Sequence, residues 1–221
     1  CDCEAADAAG RLKLFAEEAF STLDTIPEQR AIWLRRFERA AEQFLAFERA
    51  RTPEIAERRA EVEGLWVWPN GFSLKGRADR IDLRHDGRFE IIDFKTGAVP
   101  EPKTMQQLLA PQLPLEAAMI ASDAFPGINA RTAEALTYIK VGLGPEAFVP
   151  KPYAEPKGLT LAAAIEAVSQ SAMGHVDALL LRDDHPLLPR VLPDTKRRYA
   201  GPYDHLARLG EWLRDDTEGE P

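Results

Sequence analysis

Apolar positions recur along this chain in two periods, and the change of period marks its organisation. In the first fifty residues the spacing is helical. Leu12, Leu14, Phe15, Ala19 and Phe20 predict a short helix with a frayed start. Trp33, Phe37, Ala40, Phe44 and Phe47 predict a longer one, opened by Thr25 and Pro27 and running to about Ala50, with the aromatic stripe in the core. Thr52 and Pro53 open a further short helix, rich in Glu and Arg, that ends before Glu61. From Val62 the period falls to two. Val62, Leu65, Val67 and Trp68 read as a strand, Pro69-Asn70-Gly71 as a turn, and Phe72, Leu74 and the residues after Gly76 as a second strand. His85-Asp86-Gly87 turns into a third strand that ends at Thr96-Gly97, completing a three-stranded antiparallel meander.

Helical spacing returns from Lys103 to about Phe125, broken by Pro111 and Pro114 into two short pieces or one helix starting near Pro114. Residues Ala133 to Val141 read as a strand, and 145–158 as a Pro- and Lys-rich loop. Thr160 caps a helix with Leu161, Ile165, Val168, Ala172, Val176 and Leu179 on one stripe, stopped at Asp183-Asp184-His185-Pro186. A loop to Pro202 leads to a last helix with Leu206, Leu209 and Trp212, and an acidic, disordered tail follows. Helix, three strands, helix, strand defines an α/β (α+β) class with a mixed sheet flanked by helices. The domain reading is one domain over 26–214, preceded by a segment, 1–25, of a truncated upstream region and followed by the tail, 215–221. A first residue other than Met fits a fragment of a longer polypeptide.

Composition narrows this modestly. At 221 residues, 45% hydrophobic and 29% charged, the chain has the make-up of a globular domain. No apolar run approaches the roughly 18 residues of a membrane span, and no signal peptide is evident, so a cytoplasmic location is the default. The two cysteines, Cys1 and Cys3, are too few for zinc and read as incidental thiols. His175, His185 and His205 have no acid or Cys at ligand spacing. Gly142-Leu143-Gly144 lacks the Lys-Ser/Thr of a phosphate loop. A net charge of -8 argues against a free-standing DNA-binding surface, although acids that ligate metal would contribute to it.

The chemistry concentrates between Gly76 and Gly97. A period of two puts Asp93 and Lys95 on one face of the third strand, with Ile92 and Phe94 on the other. Asp79 joins them if the hairpin is symmetric about position 86, as a three-residue loop with Gly87 in the left-handed region makes it; a two-residue Asp86-Gly87 turn sets Arg80 opposite Asp93 instead. Both registers remain open. Asp82 has the opposite parity to Asp79 and faces away, in an ion pair with Arg80 or Arg84, unless a bulge intervenes. Two carboxylates and a lysine converging on one volume suit a hard divalent cation and phosphodiester hydrolysis. Glu48, four residues after Phe44, falls at the edge of the buried face within reach of a metal, the plainer reading being a solvated Glu paired with Arg51. Glu61 and Glu63 read as exposed charges, with Glu61 a remote candidate for the site.

Gly76-x-x-Asp79, then Ile91-Ile92-Asp93-Phe94-Lys95-Thr96-Gly97, then Pro111-Gln112-Leu113-Pro114-Leu115-Glu116-Ala117, resembles the signature of the PD-(D/E)XK nuclease superfamily. The closest resemblance is to the RecB-like nuclease domain at the end of the AddB subunit of helicase–nuclease complexes, and Tyr203 to Arg208 resembles the end of that domain. The likeness spans roughly 60–213. It implies a restriction-endonuclease-like core and DNA hydrolysis with magnesium or manganese. Asp79, Asp93 and the backbone carbonyl of Phe94 would be the metal ligands, Lys95 would position water, and Gln112 would face the cleft rather than act as a surface cap. It also implies DNA and an AddA-type subunit as partners, in double-strand break repair. A Gly-x-x-His element expected upstream is missing, since no histidine precedes His85. An iron–sulfur cluster held by four cysteines, three near the C-terminus, is not expected here.

Overall fold

The structure is a computed structural model that describes residues 5–21, 27–142, 144 and 146–182; side chains are described from residue 31 in the second of these segments. Two helices come first, α1 (Ala8–Ser21) and α2 (Pro27–Arg51). A single 3-10 turn, Thr52–Glu54, leads directly into β1 (Ile55–Val67). The helix expected before Glu61 is therefore a strand. Its Glu- and Arg-rich sequence has no strong strand preference, but it pairs with β2 (Ser73–Arg84) from Ile55↔Arg84 to Val67↔Ser73, and cross-strand pairing overrides local propensity. The turn between them is capped as expected: Gly71 has φ +85°, and the Phe72 amide donates to Asn70 Oδ1 at 3.1 Å.

β3 (Phe89–Lys95) follows, then the short α3 (Pro102–Gln106) and α4 (Gln112–Ala121), so the Pro-broken segment makes two helical pieces. β4 (Ala133–Val141) lies parallel to β3, and β5 (Phe148–Pro152) antiparallel to β4. The sheet order is β1-β2-β3-β4-β5, mixed and five-stranded. β5 falls in the stretch expected to be loop; its two prolines belong to an edge strand, where a missing N–H leaves no partner wanting. α5 (Leu161–Val176) starts with Thr160 Oγ1 accepting the Ala163 amide at 3.2 Å, and a π turn, Asp177–Leu181, continues it. Chain contacts divide the protein into two compact units, Cys1–Met173 and Gly174–Pro221, and the whole sheet belongs to the first. The expected last helix, His185, His205, the Tyr203–Arg208 motif, the tail and both cysteines lie outside the described residues.

The sheet separates two cores. On one face Ile81, Phe89, Ile91, Leu136 and Tyr138 pack with Leu113, Ala117 and Ile120 of α4 and Ala164 of α5. Fully burying each such aliphatic side chain contributes about 1.5–3 kcal/mol. Gly76 lets α4 approach: a Cβ there would stand 3.0 Å from Met119 Sδ, so this glycine of the signature has a packing role. On the other face Ile92, Ile139 and Phe148 pack with Phe44, Phe47 and Phe94. Only the C-terminal half of the aromatic stripe on α2 is thus core. Trp33, expected to be buried, is 42% exposed: with Phe20, Phe37 and Ala40 it lines an open cavity beside Val141 and Gly142 that no side chain fills.

Below Phe47 the second face turns ionic. Glu48 and Asp82 are 1% and 0% exposed. Arg80 bonds both: its Nη1 and Nη2 reach Glu48 at 2.6 and 2.8 Å, and its Nε reaches Asp82 at 2.7 Å. Arg51 joins Asp82 at 2.8 Å and Glu90 at 2.5 Å, and Arg84 joins Glu90 at 2.6 Å. Burial alone would lower the Arg80 pKa, but the hydrogen bonds it donates to Glu48 and Asp82 outweigh it and hold the guanidinium charged. Glu48 is accordingly neither solvated nor a metal ligand; it is a buried anchor between α2 and β2. Removing Arg80 takes from Glu48 and Asp82 the guanidinium they share and leaves each a single arginine, Arg58 of β1 at 3.0 Å and Arg51 at 2.8 Å, so Arg80→Met is expected to cost about 3 kcal/mol in urea denaturation. A loss below about 1 kcal/mol would show that the network is effectively solvated.

Candidate active site

The hairpin between β2 and β3 settles which side chains meet. Pairs Arg80↔Ile92, Ile81↔Ile91, Asp82↔Glu90 and Leu83↔Phe89 are symmetric about position 86. The loop closes through Arg84 N–H to Arg88 C=O at 2.9 Å, and Gly87 takes φ +83°, which is the three-residue alternative. Asp82 points to the ionic face just described. Asp79 comes alongside Asp93, and its Oδ2 accepts the backbone amide of Phe94 at 2.9 Å. Opposite Asp79 the β1–β2 ladder skips a pair: Glu61 turns to φ +53° between the pairs Ala60↔Arg80 and Val62↔Ala78. Ala78 and Ile81, three residues apart, both enter the α4-side core, so strict alternation breaks at Asp79. A non-glycine residue at positive φ stores roughly 1–3 kcal/mol of strain, and here it lies where Asp79 leaves the ladder. The Glu61 side chain itself is exposed and pairs with Arg77 at 3.0 Å.

Asp93, Lys95 and Gln112 form one bonded cluster. The Lys95 ammonium donates to Asp93 Oδ1 at 2.9 Å and to Gln112 Oε1 at 2.9 Å. The Gln112 amide nitrogen donates to Asp93 Oδ1 at 2.5 Å and to Glu116 Oε1 at 3.3 Å. Gln112 is the first residue of α4, so the helix start carries its amide to the strand. Lys140, opposite Lys95 in the ladder, bonds the carbonyls of Thr96 and Gly97 and holds the chain where it leaves β3. Tyr138, opposite Asp93, closes the floor; Lys95 Nζ stands 5.9 Å from its ring centroid. Burial, and then the charge of Asp93, raise the Tyr138 phenol above its ordinary pKa.

Glu116 is the cleft side chain the sequence did not single out, although the i, i+4 spacing from Gln112 puts both on one face of α4. It is 6% exposed. Its pKa is pushed up to about 7, chiefly by burial, with Asp93 and Asp79 raising it further; the Gln112 hydrogen bond and Lys95 act against them.

The donor set fits a hard divalent cation. It is all oxygen, and two of its buried atoms, Asp93 Oδ2 and Glu116 Oε2, have no hydrogen-bond partner. Lys95 Nζ lies 2.8 Å from Asp93 Oδ2, in charge contact but outside hydrogen-bond direction. Among the described residues no three His, Cys, Asp or Glu side chains stand in ligating geometry, so binding requires the Gln112 and Lys95 contacts to Asp93 to give way.

Comparison with known proteins is consistent with this geometry. A family model of the PD-(D/E)XK nuclease superfamily matches residues 2–215. Uncharacterized proteins of Rickettsia bellii and Rickettsia conorii are each 28% identical, over 42% and 44% of this chain. One of Rickettsia typhi is 29% identical over 42%. The chain spans only 12% of the length of the first two relatives and 11% of the third. A solved structure, "Crystal structure of SSO0001", is 17% identical, with 73% of this chain and 69% of that one covered and a TM-score of 0.32.

The raised Glu116 pKa sets a pH dependence of stability without metal. A carboxyl that binds its proton more tightly when folded contributes stability that is full below about pH 4.5 and lost as pH rises to about 7. In EDTA, Glu116→Gln should therefore gain on the parent across that interval, by up to roughly 3 kcal/mol at one pKa unit per 1.36 kcal/mol. Melting curves at several pH values check it, and a constant difference between the two proteins would contradict it.

Proposed function

The chain belongs to the PD-(D/E)XK nuclease superfamily, and from that premise we propose that it is the divalent-metal-dependent deoxyribonuclease domain of an AddB-like helicase–nuclease subunit. Its work would be DNA end processing in double-strand break repair and recombination, by exonucleolytic cleavage, in the cytoplasm. The observation that carries this reading is the bonded cluster of Asp93, Lys95 and Gln112, with Asp79 beside it and two buried carboxylate oxygens that receive no hydrogen bond.

Asp79 and Asp93 would hold magnesium or manganese, and the backbone carbonyl of Phe94 would be a third ligand. The bound ion supplies Lewis acidity, activating water and neutralising charge at the phosphate. Lys95 positions the attacking water and stabilises the negative charge that builds on the phosphate oxygens. Gln112 keeps the ammonium in place by accepting from it. Asp93 is almost fully buried, and low polarity around it strengthens each of these charge contacts. The DNA track, and an AddA-type partner, come from the rest of the complex; a net charge of -8 supports that division.

A second reading, a catalytically silent nuclease-like module that scaffolds a complex or grips DNA, is favoured by the same negative charge and by the absence of three carboxylates in ligating geometry among the described residues. Two measurements separate them. A nuclease gains thermal stability with manganese, as any ligand that binds only the folded state confers, and Asp93→Ala removes the gain. Asp79→Ala and Lys95→Ala should each slow magnesium-dependent cleavage of linear DNA by at least about 100-fold, the scale set by loss of one charge-stabilising group. Cleavage at the parent's rate by either variant would overturn the nuclease reading.

A further inference from the structure

Glu116 has no part in the mechanism above, yet the cleft closes on it. It stands on α4 one turn after Gln112, nearly fully buried, with Oε2 unpartnered and Oε1 receiving the Gln112 amide at 3.3 Å. The same amide nitrogen is 2.5 Å from Asp93 Oδ1. One NH2 group therefore sits between a carboxylate from the sheet and a carboxylate from the helix, the arrangement in which a cation bridges two acids. A buried acceptor with an unsatisfied oxygen costs about 1–3 kcal/mol. Asp93 and Glu116 thus meet across one amide nitrogen, with the Lys95 ammonium bonded to Asp93 on its other side.

Resting on the nuclease reading, we propose that Glu116 is a further carboxylate ligand of the divalent cation, gripping it from the helix side as Asp93 does from the sheet side. The Gln112 amide marks the position between them that the cation takes over. Gln112 then keeps its bond to Lys95 through Oε1, so one side chain gives up the acids while still orienting the ammonium. This separates two duties in the Gln112-to-Glu116 turn: the glutamine serves the lysine and the glutamate serves the metal.

A purely structural Glu116, one that only holds the Gln112 amide, predicts something different. Glu116→Gln keeps an acceptor oxygen for that amide and removes only the charge. Manganese titration of the whole chain, followed by calorimetry and by the electron paramagnetic resonance of free Mn2+, distinguishes the two. Glu116→Gln should weaken Mn2+ affinity at least tenfold and abolish most of the thermal shift Mn2+ gives, and Glu116→Ala serves equally should the first variant fold poorly. Parent-like affinity in whichever variant folds overturns the proposal. Asp93→Asn is the control for the underlying reading. If Asp93→Asn loses Mn2+ and Glu116→Gln keeps it, only the role of Glu116 falls. If the parent binds no Mn2+, or Asp93→Asn binds it unchanged, the nuclease reading falls and this inference with it.

Discussion

A slip of one residue in the pairing of β2 with β3 would exchange the two faces of the hairpin, and nothing else in the protein could then be where it is. With the loop symmetric about Asp86, Ile81 and Ile91 face α4, and Arg80, Asp82 and Glu90 face α2. In the slipped register the isoleucines would lie among arginines, and the acids would be driven into the core under α4. Both faces are buried here, so both penalise the slip. Gly87 in the left-handed region, which a β-branched residue would strain to reach, fixes the loop length that keeps the register. The face of β3 that carries Asp93 and Lys95 is therefore specified partly by packing and ion pairs on the opposite face.

Glu48, Asp82 and Glu90 meet Arg51, Arg80 and Arg84 in a network of equal and opposite charges with little access to water. Such networks are rarely more stable than a well-packed apolar replacement, because each ion must be desolvated. What they provide is geometry. A guanidinium with two bidentate partners tolerates one arrangement of α2 against β2, whereas the Phe44, Phe47 and Phe148 cluster beside it would tolerate several. Since β2 carries Asp79 and β3 carries Asp93 and Lys95, fixing the strands from behind fixes the spacing of the acids in front.

The sequence made the centre of this arrangement legible and its surroundings much less so. Asp93 and Lys95 on one face followed from period two alone, and the meander and the strand from Ala133 followed from turn residues and spacing, while Pro111 and Pro114 left one helix or two open. The register did not, because two- and three-residue loops fit the same His85-Asp86-Gly87. Residues Ile55 to Ala60 were unreadable as a strand, since their charges satisfy no local preference and pair only once β2 is present. β5 was hidden by its prolines. Trp33 misled because helical periodicity shows which side of a helix is apolar, not how far along the helix a partner extends. Glu48 and Asp82 carry charges that composition assigns to the surface, and only the arginines brought by three separate elements make their burial tolerable. Glu116 was hidden differently: it lies in a motif whose glutamine drew the attention.

Charge ties these observations to function. Of the arginines on β2, Arg80 and Arg84 are committed to buried or half-buried carboxylates on the far face and are not free to meet phosphate, and Arg77 is exposed and paired with Glu61. Lys140 is turned to backbone carbonyls, and Lys95 is shared between Asp93 and Gln112. A cleft whose own cations are so occupied, in a chain of net charge -8, repels a polyanion at long range. Attraction for a DNA backbone must then come either from a surrounding protein or from divalent cations gathered by the acids themselves. The second source acts only within a Debye length of about 8 Å at physiological salt, so it can hold a phosphate that has arrived but cannot bring one in. On the nuclease reading, delivery and hydrolysis are therefore separate tasks: hydrolysis can reside in this fold, and delivery has to be supplied from outside it.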